Sequence, residues 1–412
     1  MRAIGDTLPR RFKAKASGAI TAGKPCIVEA DGDVAQVGEA QIVGSPATFE
    51  SATVEMGTSI AFDSSNNKVV IGYRDAGNSG YGTAVVATVS GSSITYGTPV
   101  VFASASTDGV SGTFDSSNNK VVFAFTDAAN SKHGTAIVGT VSGTSISFGS
   151  EAVFESDDSR VVAIGFDSSN NKVVIAFRDH NDSKYGKAVV GTVSSTSISF
   201  GSVTTFESAQ TSNHNVVFDS SNNKIVICYS DVGNSFYPTA IVGTVSGTSI
   251  SFGSAVVFVS FGIVDAAITF DSNENKVVIC YPGSSSYGNA VVGTVSGTSI
   301  SFGSPVVFES AQSTFIAATF DSSNNKVVLA YKDGGNSDQG TAIVGTVSGT
   351  SISFGSANVF ESGGTHYIAI AFDSSANKVI IAYADAGDNY QGKAVSAEVS
   401  GTSINITGNL LT

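Results

Sequence analysis

The chain has 412 residues, 42% of them hydrophobic and only 13% charged, with 45 glycines, 26 phenylalanines, no tryptophan and a formal net charge of −13. Such a chain is too apolar to be disordered, and the dominance of Val, Ile, Thr, Phe and Tyr over Leu, Glu and Lys excludes a helical protein. Its acidic body lacks the clustered basic surface that phosphate binding needs, which excludes nucleic acid as a partner.

The charge is unevenly placed. In residues 1–15, Arg2, Arg10, Arg11, Lys13 and Lys15 oppose only Asp6, a local charge of +4 that leaves −17 for the remainder. A basic arm of this kind reads as a dock for an acidic partner or as a solvated tail. No continuous apolar core follows it, so no signal peptide is expected. No apolar run reaches the ~18–20 residues of a membrane span, so membrane insertion is not expected. The stretch "ITAGKPCIVEADGDVAQV" then predicts a small β-hairpin, two apolar strands joined by the turn "ADGD". Residues 1–40 are thus expected to form an arm and hairpin, and residues 41–412 a separate repeat domain.

From Phe62 onward "FDSSNNKVV" recurs with little change, its phenylalanine falling at Phe62, Phe114, Phe166, Phe218, Phe270, Phe320 and Phe372. The spacings are 52, 52, 52, 52, 50 and 52 residues, the mark of one supersecondary unit copied seven times. The sixth copy shows the plan. A short apolar strand A ends at Phe320, "DSSNN" turns the chain, "KVVLAY" is strand B, "TAIVGTV" is strand C, "SGTS" turns again, and "ISFG" opens strand D, interrupted at its Gly-Ser. Strand B is apolar without alternation, so both its faces should be covered. Units of four antiparallel strands, starting near 58, 110, 162, 214, 266, 316 and 368, predict an all-β fold: a seven-bladed β-propeller whose stacked blades cover one another. A linear solenoid is the rival architecture. The D-like stretch Ile42 to Ser51 before the first strand A, with the weak C-terminal strand "GTSINITGNLLT", would close the ring.

The copies differ in an ordered way. The A–B turn is DSSNN in five copies and changes only to DSNEN at Asp271 and DSSAN at Asp373. The C–D turn is SGTS in five, with SGSS at Ser90 and SSTS at Ser194. Repeated turns meet a structural demand. The B–C loops and D–A segments vary, the fifth B–C loop being two residues shorter, and they should share the opposite face, where binding is usually built. One B–C position holds Tyr81, His133, Tyr185, Tyr237 and Tyr287, then Gln339 and Gln391. Exposed aromatics beside Asp and Asn suit stacking on a sugar. Alternatively, each ring packs over its own loop.

Asp75, Asn78 and their counterparts supply oxygens at short spacing, but without the alternating acids and terminal Glu of a calcium loop. Cys228 and Cys280 share a repeat position with Gly72, Ala124, Ala176, Ala330 and Ala382, as small core residues would. No metal or other cofactor is expected. His133, His180, His214 and His366 are scattered over different repeats, and no nucleophile lies in a recognisable setting. Asp157, Asp158 and Asp265 are the carboxylates that a glycosidase reading would use. "SGTSISF" is similar in placement to the Asp-box of sialidase-type propellers, but lacks the Asp, with Phe148, Phe200, Phe252, Phe302 and Phe354 where Trp would stand. Of the arginines only Arg74, Arg160 and Arg178 lie within the repeats, no clear match to a sialidase arginine triad. No enzyme is expected.

The hairpin segment resembles stretches of tailed-bacteriophage virion proteins, among them head-decoration and adhesin proteins, in which "aGaItaGkpV" precedes an acidic-Gly turn and a valine strand. The repeat "FDSSNNKVVIAY…GTAVVGTVSGTSISFGS" looks like repeats of structural proteins of marine phages. The resemblance implies a non-enzymatic protein at the virion surface, bound to capsid or tail proteins through residues 1–40 and displaying the propeller to a protein or host surface. A glycan-binding lectin or host-receptor adhesin of tail-fibre type is the second expectation, and a glycoside hydrolase the third.

Overall fold

The computed structural model describes residues 26–28, 34–36 and 46–406. The chain divides into two units, Met1–Ile42 and Val43–Thr412. In the first, Cys26–Val28 and Val34–Gln36 pair antiparallel in the register Cys26↔Gln36, Ile27↔Ala35, Val28↔Val34, which is the hairpin read from the sequence. Arg2, Arg10, Arg11, Lys13 and Lys15 lie outside the described residues. Among the described residues no helix is long and apolar enough to cross a membrane.

The second unit is an antiparallel all-β fold, a β-propeller, in which the described residues form seven four-stranded sheets, numbered here in chain order. Sheet 3 shows the plan. Strand B (Lys172–Asp179) pairs on one side with the end of the strand Ala152–Asp167, which is strand A. On its other side lies strand C (Tyr185–Ser194). Strand D is in two pieces, Ser197–Phe200 and the start of Thr204–Asp219, interrupted at Gly201 and Ser202 as expected.

The D–A segments differ from the expectation of variable loops. The strand Thr204–Asp219 first pairs with strand C of sheet 3 and then, from Thr211, with strand B of sheet 4 (Lys224–Asp231). One extended strand therefore serves as the outer edge of one sheet and the inner edge of the next. A bulge bends it across the gap, centred on a left-handed residue at Gly57, Gly109, Val161, Asn213, Phe315 and Tyr367. Pattern alone does not separate a bulged polar strand from a loop. Only before sheet 5 does the strand fail, with no strand between Val257 and Ala267.

Neighbouring sheets cover both faces of every strand B. Val173, Ile175 and Phe177 pack with Val122, Ala124 and Val138 of sheet 2, whereas Val174 and Ala176 pack with Ile225, Ile227 and Tyr229 of sheet 4. This is why the strand lacks polar alternation. Cys228 and Cys280 are fully buried in such layers, and burial pushes the Cys228 thiol up to about 12. The recurrent phenylalanine of the A–B turn sits at the layer edge, Phe62 against one layer and Phe114 against the next. Strands A surround a central channel with cavities of about 360 and 220 Å³.

The A–B turn is a repeated joint with a clear cause. Asp63 is buried, and its carboxylate accepts the Ser65 amide (2.9 Å) and hydroxyl (2.6 Å), the Asn66 amide (3.0 Å) and the Asn66 side chain (2.9 Å). The last Asn of the motif is left-handed in every copy, Asn67 at φ 52° being the first. The copy with Ala376 gives up only the amide side chain's bond, and the copy with Asn273 and Glu274 gives up the serine hydroxyl's bond as well, while both keep the two backbone amides.

The ring closes through the segment before the first repeat. Ala47–Asp63 pairs with Gln391–Ser400 through Ala47↔Ala394, Thr48↔Lys393, Glu50↔Gly392 and Thr53↔Gln391, completing the last sheet beside Ser403–Ile406. Val69, Ile71 and Tyr73 of sheet 1 pack with Ile380, Ala382 and Ala384 of sheet 7 in one apolar cluster. A linear solenoid has no such contact.

Candidate functional site: the loop face

The B–C loops and the crossings of the D–A strands share one face, opposite the A–B and C–D turns. Six B–C loops are shaped by the aspartate that ends strand B. Asp75 accepts from the Asn78 amide at 3.1 Å, Asp179 from the Asn181 and Asp182 amides at 3.0 Å each, and Asp385 from the Gly387 amide at 2.8 Å. These carboxylates hold the turn. Among the described residues no group of three or more His, Cys, Asp or Glu side chains is placed to hold a metal ion.

The proposed aromatic series opens each strand C. Tyr81 lies between Asp75 on strand B and Ser106 on the crossing strand, and Tyr185 between Asp179 and Gln210. Tyr81, His133, Tyr185 and Tyr237 are half-buried, and only Tyr287 is exposed, at 42%. No two of the five rings touch, so the series is one ring per sheet and not a continuous platform. Sequence reasoning missed the residue just before this position. It is left-handed in every sheet, as in Phe236 (φ 61°) and Tyr390 (φ 58°), and the backbone there turns the side chain outward. Phe236 is 43% and Tyr390 38% exposed. The exposed aromatic residues of the described chain are thus Phe236, Tyr287 and Tyr390, all on B–C loops. Tyr390 extends a cluster with His366 (5.3 Å between ring centres), which in turn meets Phe315 at 4.9 Å and Tyr367 at 5.9 Å. The signal was in the sequence, one residue out of the aligned column.

Charged groups on this face are mostly committed. Arg160 binds Asp158 through two hydrogen bonds of 2.8 Å, and this guanidinium holds the Asp158 carboxyl below its ordinary range. Arg74 is bound to Glu55, with Asp108 at 3.8 Å, and Arg178 donates to the Thr211 carbonyl at 3.3 Å. Lys187 bridges Asp179 and Asp182 at 2.7 Å each. Asp157 accepts from the Asn181 side chain at 3.3 Å. Asp265 lies before sheet 5, where burial pushes its carboxyl up and the Ile316 amide donates to it at 3.2 Å. Asp158 and Asp265 therefore serve different sheets with different partners, and the structure does not join them into an acid–base pair.

The histidines are separated too. His214 is buried at the channel wall. Its Nδ1–H donates to the Val161 carbonyl and its Nε2 accepts the Thr211 hydroxyl, both at 2.8 Å. Burial, reinforced by Arg178, takes its pKa down to about 3, against the pull of the Val161 carbonyl. Because the unfolded histidine titrates near 6.5, the unfolded chain takes up the proton first as pH falls. His214 should therefore make stability fall between about pH 6.5 and pH 3, with a slope of up to ~1.4 kcal/mol per pH unit. Urea melts of the wild type and His214→Gln across that range should show a shallower fall in the variant; parallel curves would refute the assignment.

A second repeated feature joins neighbouring sheets beneath this face. The Tyr73 hydroxyl donates to Glu50 (3.0 Å), Tyr229 to Glu207 (2.9 Å), Tyr331 to Glu309 (3.1 Å) and Tyr383 to Glu361 (2.9 Å). Each bond ties strand B of one sheet to the D strand before it. Burial first, then the carboxylate, pushes each phenol far above its ordinary range. Sheets 2 and 3 have Phe125 and Phe177 instead. In sheet 5 Tyr281 is retained and fully buried, but Val259 stands where the glutamate would be, and the hydroxyl has no partner.

No protein-family model and no curated protein sequence matches the chain. Solved structures match its fold. The BP39L lectin from Burkholderia pseudomallei is 10% identical with a TM-score of 0.61, over 87% of this chain and 98% of that one. Sqt1 from Saccharomyces cerevisiae is 11% identical with a TM-score of 0.51, over 86% and 98%. The leech intramolecular trans-sialidase is 9% identical with a TM-score of 0.51, over 86% of this chain and 70% of that one. At these identities the likeness is one of fold.

Proposed function

We infer that this protein is a non-catalytic β-propeller that binds carbohydrate on its loop face. The observation that carries the reading is the placement of Phe236, Tyr287 and Tyr390, the exposed aromatic residues of the described chain, all on B–C loops of one face. An aromatic face stacks on the C–H face of a sugar, and a rigid frame lowers the entropy lost on binding. The lectin of B. pseudomallei supports the reading because it uses the same fold. The leech trans-sialidase shares that fold as well, but here Arg160 and Arg74 are committed to carboxylates, and His214 in the channel wall is neutral and fully bonded. Binding of the purified protein to an array of bacterial surface glycans is the expected result; silence across the array would sink the reading.

A second reading places this binding domain on a phage particle, held by residues 1–40. It is supported by the division of the chain at residue 42, by the antiparallel hairpin Cys26–Val28 with Val34–Gln36, and by the resemblance of that segment to virion proteins. Deleting residues 1–40 should leave a folded propeller that no longer joins the particle. Undiminished incorporation would overturn the anchoring role.

A further inference from the structure

The repeat is broken most deeply at sheet 5, and there the breaks coincide. The B–C loop lacks the aspartate-capped turn and is two residues shorter. Pro282 and Gly283 replace it, with the Gly283 amide donating to the Tyr287 carbonyl at 2.6 Å and the Ser286 amide to the Gly283 carbonyl at 2.8 Å. The crossing strand is lost between Val257 and Ala267, which brings Phe261 to 6.3 Å from the Tyr281 ring. Val259 removes the glutamate that tyrosines of four other sheets use. Together these changes leave a cavity of about 180 Å³, walled by Val259, Phe261, Tyr281, Ser284, Tyr287 and Asn289 among others.

We propose that this cavity is a binding site for a single neutral sugar ring. The proposal rests on the carbohydrate-binding reading above and names its site and ligand class. Three properties of the wall select the ligand. It contains no charged side chain, which disfavours anionic and cationic ligands, since a buried unpaired charge is costly. Tyr287 is 42% exposed and offers a ring for stacking at the rim. The Tyr281 hydroxyl is buried and unpartnered, and in four other sheets the matching hydroxyl bonds a glutamate at the position that Val259 fills here. A ligand hydroxyl replaces the missing carboxylate, with Ser284 and Asn289 as further hydrogen-bonding groups. The volume suits one monosaccharide, being well below the ~300–1,000 Å³ of pockets for drug-sized ligands.

The decisive variant is Val259→Glu, which restores the glutamate that pairs with the tyrosines of sheets 1, 4, 6 and 7, satisfies Tyr281 and fills the cavity. The probes are neutral hexoses, deoxyhexoses and N-acetylhexosamines, titrated by NMR to 20 mM or so, with the glycan array run in parallel on wild type and variants. A single site with a Kd on the order of 1 mM is expected for the wild type. Val259→Glu should weaken it at least tenfold while melting at an equal or higher temperature. Tyr281→Phe should weaken it about tenfold with unchanged melting, since its hydroxyl has no partner to lose. That variant and Tyr287→Ser decide the matter should Val259→Glu not fold. A positive array on which these variants equal the wild type would overturn this site and leave the carbohydrate reading standing. A silent array and no monosaccharide binding would overturn both. Binding confined to anionic sugars would overturn the neutral class.

Discussion

Removing residues 1–53 is expected to abolish the cooperative melting of the propeller, whereas removing residues 1–42 should leave it unchanged. The difference is eleven residues that complete the last sheet. They supply the outer strand against Gln391–Ala394, and their loss bares an edge with unpaired backbone groups, a template for aggregation. They also supply Phe49, 6% exposed, whose ring lies 5.3 Å from Tyr73 and 6.0 Å from Tyr96, directly over Gly392. Glu50, the partner of the buried Tyr73 hydroxyl, goes with them. The point variant Phe49→Ala isolates the packing part and should cost ~3–5 kcal/mol, read from urea midpoints. A shorter chain that melts as cooperatively as the parent would show that closure contributes little.

Gly149→Val should be among the most damaging single changes on the opposite face, at ~3 kcal/mol or more. A Cβ at Gly149 would stand 1.8 Å from the Thr196 carbonyl oxygen, in the C–D turn of the next sheet, and 2.9 Å from its carbon. Both partners are backbone, and the Gly149 amide is itself bonded to the Val138 carbonyl at 2.9 Å, so no side chain can swing aside. The sheets would have to part at their outer edge. Gly143→Ala is the control: its φ of 62° is strained for alanine, but nothing lies within 4 Å, so the cost should be ~1–2 kcal/mol. Equal costs for the two variants would show that the close approach is not what the glycine is for.

Much of the fold was legible because each unit repeats its reasons. Phe62 and its copies announced the period, the apolar run of strand B announced two covered faces, and Asp63 with Asn67 announced a turn whose chemistry the structure shows bond by bond. The crossing strands were not legible. Segments such as "SDDSRVV" are polar and dissimilar because they bend around a left-handed residue between sheets and meet different neighbours in each copy. The candidate site was half legible. The variable face was identified, and Tyr287 with it, yet the column Tyr81, His133, Tyr185 and Tyr237 proved half-buried strand ends, and the outward residues Phe236 and Tyr390 lay one place earlier.

The period, the four-strand unit, the turns and the strand that closes the ring are written in the residues, because these depend on local backbone chemistry and on hydrophobic patterning within one unit. Which loop residues reach solvent, and that sheet 5 holds a cavity, emerge from the folded ring alone. A left-handed residue aims its side chain by geometry that composition does not show. The Tyr281 hydroxyl has no partner because Val259, 22 residues earlier in the strandless segment before sheet 5, stands where four other tyrosines meet a glutamate, and only the packed ring brings those two positions together.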